Sequence, residues 1–282
     1  MRKLDYDSFE TNSIPCENKT YITLINQYKN EQLPIYQKKS QILDKMVRVA
    51  KIQSAGASNR IEGVSTCDKR LKHLMEETVE PIGKAENEIR GYRFCLDLIH
   101  EKYDSFPVTP ENIRQLHAYL FQYLSDDTGG KYKTEDNLVV TTDLNGNIAD
   151  RFEPVSAADT PSAIEDLCAA FNIAIEKGAV PPLLLILQFV FDFLCIQPFC
   201  DGNGRMSRLL MFLLLYRSGY YVGRYISLDA MIEKTKDSYF NSLWASAEGW
   251  HEGKYDPGIF ICYILGIILS AYREFENRVT LV

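Results

Sequence analysis

The sequence predicts an all-α protein with one small β-hairpin flap, on three observations. Glycine and proline divide the chain into helix-length pieces. Apolar stretches at 183–196, 209–216 and 259–272 read as central helices of a large helical core. One segment is β-prone: Leu138-Val139-Val140-Thr141-Thr142 precedes Asn145-Gly146, the favoured pair for a tight hairpin turn, and 148–152 supplies a return strand.

Each element has its own signal. Helical pieces are expected at about 33–61, 67–79 and 84–104, and Glu86, Asn87 and Glu88 read as an exposed helix face. Thr109-Pro110 opens a helix over 111–124, with a cap oxygen and proline in the first turn. Thr160-Pro161 does the same for a segment whose Ile164, Leu167, Cys168 and Phe171 share one face. Pro181-Pro182 opens the apolar helix that Pro198 ends, because proline disfavours helical geometry in the residue before it. Asp256-Pro257 opens the last helix.

Composition narrows the function. In 282 residues, 46% apolar and 24% charged side chains are ordinary globular values, which excludes disorder and fibrous repeats. The length fits one large domain or a core with a smaller appended segment. With 31 Lys and Arg against 38 acids, a net charge of −7 argues against a broad basic face for nucleic acid. Seven cysteines, an odd number with no C-x-x-C pair, read as reduced thiols of a cytoplasmic protein. The first 13 residues lack the apolar region of a secretory signal. The apolar stretches fall short of the roughly 18–20 residues that span a bilayer, so no membrane partner is expected.

The chemistry concentrates in Gln197-Pro198-Phe199-Cys200-Asp201-Gly202-Asn203-Gly204-Arg205-Met206-Ser207-Arg208. One buried helix stops at Pro198 and another starts near Asn203. The two glycines between them let backbone N–H groups turn inward beside the positive end of a helix, which suits an anion such as phosphate. Arg205 and Arg208, three apart, can reach the same anion. Asp201 is placed to hold a hard cation such as Mg²⁺. The plainer alternative is a glycine turn with a capping asparagine and two surface arginines. No Walker A sequence occurs in the chain.

This stretch resembles the core motif of the Fic (Fido) family, H-P-F-x-[DE]-G-N-G-R-x-x-R, matching every defined position except the first. Most members transfer AMP from ATP to a hydroxyl side chain of a target protein. The resemblance implies a Fic-type helical core, ATP and Mg²⁺ as ligands, and a target protein as partner, and it leaves room for a homodimer. It places Asp201 on Mg²⁺, Gly202, Asn203 and Gly204 around the α- and β-phosphates, Arg205 on phosphate and Arg208 on the γ-phosphate, with Phe199 in the same site. The Gly130-Lys131-Tyr132-Lys133 stretch running to Val139 and Val140 is similar to the family's flap, with lysine where arginine is usual. In the family this hairpin holds the target backbone by strand addition. The 237–243 stretch is similar to a helix that shapes the nucleotide-base pocket, with Tyr239 as the contact. The resulting division is an N-terminal helical region over 1–106, a Fido core over 107–255 and a C-terminal helix over 256–282.

Upstream, Ser58-Asn59-Arg60-Ile61-Glu62-Gly63 matches [ST]-x-x-x-E-[GN], the inhibitory signature of family members that carry their own brake. A helix ending in Glu-Gly, with Gly63 as its left-handed cap, explains the same residues without function. On the inhibitory reading Glu62 pairs with Arg208 and occupies the group meant for the γ-phosphate.

One departure stands out. The family's first motif position is the histidine that takes the proton of the attacking hydroxyl, and here it is Gln197. An amide orients a hydroxyl but carries no proton away near neutrality. A natural degeneracy, an engineered replacement and a chemistry that tolerates glutamine all fit the sequence. So do transfer of AMP, nucleotide binding without transfer, and the reverse hydrolysis. His73, His100, His117 and His251 have no motif role and read as structural or exposed.

Overall fold

The computed structural model describes residues 4–6, 16–38, 41–125, 128–142 and 148–280. Its elements are α1 (Cys16–Tyr36), α2 (Gln41–Ile61), α3 (Asp68–Met75), α4 (Gly83–Lys102), α5 (Pro110–Phe121), β1 (Val139–Thr142), β2 (Ile148–Phe152), α6 (Thr160–Lys177), α7 (Pro182–Ile196), α8 (Asn203–Arg217), α9 (Leu228–Lys234), α10 (Lys236–Ala247) and α11 (Gly258–Thr280). The fold is helical, as expected. β1 and β2 pair antiparallel, with Val139 opposite Phe152 and Val140 opposite Arg151, and the register shifts between Thr141 and Thr142. The expected Asn145-Gly146 turn lies outside the described residues.

α7 and α8 form the centre. Every residue of α7 from Leu183 to Ile196 is buried, and so is nearly all of α8. α6 and α8 flank α7, and α2 and α4 close over α8. Two apolar helices buried on all sides and joined by six residues fix both ends of the motif loop, because a close-packed core leaves neither helix room to shift.

The starts of the helices follow the sequence with one adjustment. Thr109 caps α5, accepting the Asn112 N–H at 3.2 Å. Thr160 instead lies inside α6, whose cap position is Asp159. The expected helix over 33–61 is two helices. α1 was not anticipated: its β-branched Thr20, Ile22, Thr23 and Ile25 mask a helical stripe, and its fixing contacts come from far along the chain. It packs on α11, where Tyr28 stacks on Tyr272.

α11 corrects a second expectation. At 23 residues it is long and apolar enough to cross a bilayer by length and composition, although 56% of its apolar window is buried within the molecule. Among the described residues, Cys67, Cys95, Cys168, Cys200 and Cys262 are free thiols, two of them buried.

Candidate active site

The loop between α7 and α8 is built from three local devices. α7 ends as Gln197 enters the left-handed region at φ +47, a conformation a non-glycine residue adopts only when its surroundings impose it. Asn203 then closes the loop on itself: its Oδ1 accepts the Phe199 N–H at 3.0 Å and its Nδ2 donates to the Phe199 carbonyl at 2.7 Å. Gly202, at φ +79, passes against Phe121, where a Cβ would lie 2.7 Å from a ring carbon. Gly202→Val is therefore expected to abolish binding of ATP·Mg²⁺ in a calorimetric titration while circular dichroism keeps its helical signal. Retained affinity would make the loop a structural turn.

The two arginines have different jobs. Both are almost fully buried. The Arg208 Nη2 donates to Glu62 Oε1 at 2.8 Å and to the Ser58 carbonyl at 2.9 Å, and its Nε donates to Ser58 Oγ at 2.7 Å. Asp229, fully buried on α9, stands 3.5 Å from the same Nε. Burial opposes the charge on Arg208, but the carboxylates of Glu62 and Asp229 hold the guanidinium protonated. Burial also pushes the Asp229 carboxyl up to about 6, against the pull of Arg208.

Arg205, expected on phosphate, donates from Nη1 to Glu88 and from Nη2 to Asp201 at 3.4 Å, and its guanidinium lies over the Phe121 ring. Glu86 and Glu88 are correspondingly buried, contrary to the exposed face expected of them. Arg70 holds Glu86 and Arg205 holds Glu88, and a buried carboxylate persists only with such partners.

A cleft of about 390 Å³ opens over the loop. Its floor is Asp201, Gly202, Asn203 and Gly204, with Arg208 at the back and Glu62 beside it. Val139 and Val140 of β1 line the flap side, and Tyr239 with Phe240 and Leu243 of α10 line the other. Gln197 faces the same space, its Oε1 3.4 Å from Asn203 Nδ2. Glu62 lies directly on the loop: a Cβ at Gly204 would come 2.2 Å from Glu62 Oε1. Of the remaining expected residues, Ser58 is buried beneath Arg208, Gly63 is the left-handed residue after α2, and Phe199 is packed under the loop.

This arrangement can receive an elongated polyanion whose base rests between β1 and α10. Asp201 is half exposed at the mouth, and no group of three metal-ligating side chains occurs among the described residues. A lone carboxylate suits Mg²⁺ that arrives bound to substrate phosphates.

Comparison with known proteins bears on the fold and on the segment that carries the loop. The sequence pattern of the Fic/DOC family matches residues 107–215. That match runs from just before α5 into α8, under half of the chain. A Fic family protein from Desulfovibrio desulfuricans superposes with a TM-score of 0.75 at 21% identity, covering 94% of this chain and 75% of that one. A Fic domain containing signaling protein from Bacteroides thetaiotaomicron gives 0.72 at 22% identity, covering 90% and 95%. The protein adenylyltransferase Fic of Nematostella vectensis is 24% identical over 186 residues, which are 63% of this chain and 40% of that protein. The chain thus spans well under half the length of that curated relative. The Fic/DOC match begins in the turn before α5, so α2 with Ser58 and Glu62 lies outside it.

Sequence reasoning missed three supports of the motif loop: Glu88, Asp229 and His117. Each is one polar residue among several on its helix, and only the packing of the tertiary fold brings it to the motif. The signal available for Glu88 was weak, since Glu86 and Glu88 cannot share a helical face with the apolar Ile89 and both be fully solvated.

Proposed function

We propose that this chain is a Fic-type protein adenylyltransferase, moving AMP from ATP to a hydroxyl side chain of a target protein. The observation that supports it most is the convergence on one cleft of the glycine loop, Arg208, Tyr239 and the flap residues Val139 and Val140. In the reaction the target oxygen attacks the α-phosphorus, the bond from that phosphorus to the bridging oxygen breaks, and pyrophosphate leaves. Loop N–H groups and the start of α8 hold the phosphates, and Arg208 takes the γ-phosphate. Asp201 would hold Mg²⁺, which supplies charge neutralisation of the triphosphate when bound. Residues of β1 align the target strand.

Two features restrain the reaction. Glu62 occupies Arg208 and adds a negative charge over Gly204, so ATP enters in an unproductive pose. Gln197 orients the attacking hydroxyl but leaves its proton to solvent. A second reading, nucleotide binding without transfer, is favoured by the contact of the Gln197 oxygen with Asn203, which turns that side chain toward the loop.

Titration calorimetry with ATP and Mg²⁺, paired with a labelled-AMP self-transfer assay, separates the two. Binding with transfer is the expected outcome, and binding without transfer selects the second reading. No binding overturns both.

A further inference from the structure

His117 lies on α5, outside the cleft, yet it touches both halves of the site. Its Nδ1 accepts the Gly130 N–H at 2.9 Å, so the ring proton sits on Nε2, which donates to the Asp201 carbonyl at 3.1 Å. Its ring stacks on Phe199, centroids 3.7 Å apart and planes 6° from parallel. Gly130 begins the stretch that leads into the flap, and Phe199 and Asp201 belong to the loop. The same two segments meet again where the Lys133 N–H donates to the Pro198 carbonyl at 2.9 Å and Asn137 Nδ2 to the Phe199 carbonyl at 2.9 Å. The ring is buried. The neutral form with its proton on Nε2 is the one that serves both partners, since an imidazolium has no acceptor for Gly130.

We propose that His117 is a positioning residue that couples the flap to the anion loop, so that a ligand held by the loop firms the flap and a strand laid on the flap firms the loop. The ligand half of this inference rests on the reading of the loop as an ATP site; the coupling half does not. Without His117 the flap keeps its hairpin, the loop keeps its Asn203 closure and the Lys133 and Asn137 bonds remain, but the coupling between the two segments weakens.

Amide hydrogen exchange of the full chain tests it, followed in peptides covering 128–142 and 198–208. His117→Phe keeps a ring against Phe199 and removes both hydrogen bonds; His117→Gln keeps polar atoms and removes the stack. Without nucleotide, His117→Phe is expected to speed exchange in both peptides together, by roughly two- to tenfold, the factor that the net free energy of one hydrogen bond corresponds to. Peptides from α1 and α11 stay unchanged. Faster exchange at 128–142 alone overturns the coupling. With ATP·Mg²⁺ at saturation, the wild type is expected to slow in both peptides and His117→Phe in 198–208 only. Equal flap protection in wild type and both variants also overturns it, whereas failure of the wild type to bind ATP overturns the ATP reading and leaves the nucleotide-free comparison to decide. If neither variant folds, nitrogen NMR of the wild-type imidazole at neutral pH decides: a proton on Nε2 and an accepting Nδ1 are expected, and a proton on Nδ1 overturns the proposal.

Discussion

The chain carrying both Gln197→His and Glu62→Gly is expected to label itself with AMP faster than the product of the two single repairs allows. Glu62→Gly frees the Arg208 fork, which now spends one donor on Glu62 Oε1 at 2.8 Å, and clears the carboxylate from Gly204. It leaves the hydroxyl proton without an acceptor. Gln197→His supplies an imidazole worth about 10²–10⁴ in rate, but with Glu62 in place the γ-phosphate stays off Arg208. Base and nucleotide pose act as one unit, so neither repair shows its full effect until both are present. The measurement is initial self-labelling rate for the four chains at one ATP concentration. Full activity from Glu62→Gly alone would make Gln197 a competent substitute and remove the general-base account.

Arg208→Ala is expected to cost stability as well as binding, about 3–5 kcal/mol in a urea melt. The guanidinium is a core ion: its removal leaves Asp229, fully buried, without its cation, and strips the Ser58 hydroxyl of its donor. From sequence alone the expectation is only weaker ATP binding, and weaker for ATP than for ADP through the γ-phosphate. That difference still holds, measured under conditions where the variant is folded. Arg208→Lys keeps the charge and loses the fork, so it should lie between wild type and alanine. Coincident urea midpoints for wild type and Arg208→Ala would refute the structural half of this account.

Legibility in the sequence followed the range of the forces involved. α7 and α8 were readable because their apolar runs leave no other way to be buried, and the loop was readable because Gly202 permits the left-handed turn into α8. The motif residues Asp201, Gly202, Asn203, Gly204 and Arg208 do meet in one cleft, and Tyr239, Val139 and Val140 face them. Helical spacing puts Arg205 beside Arg208 but could not show its pairing with Glu88, 117 residues away. α1 was invisible for a related reason: its helical face is defined by α11, at the other end of the chain. A short-range pattern cannot show a contact that only the tertiary fold creates.

The seat of Glu62 on Gly204 has a consequence for how such a protein would respond to its surroundings. On the proposed reading, the carboxylate is a competitor that cannot diffuse away, present at an effective concentration fixed by the path from α2 to the loop. Dilution leaves that competitor unchanged, and so does any rise in protein level. Nucleotide must displace it, and the apparent affinity for productive ATP equals the intrinsic one reduced by the fraction of molecules with Glu62 withdrawn. The dose response is thus written into the geometry of one helix end, and a partner that pulls on α2 would shift it without touching the nucleotide.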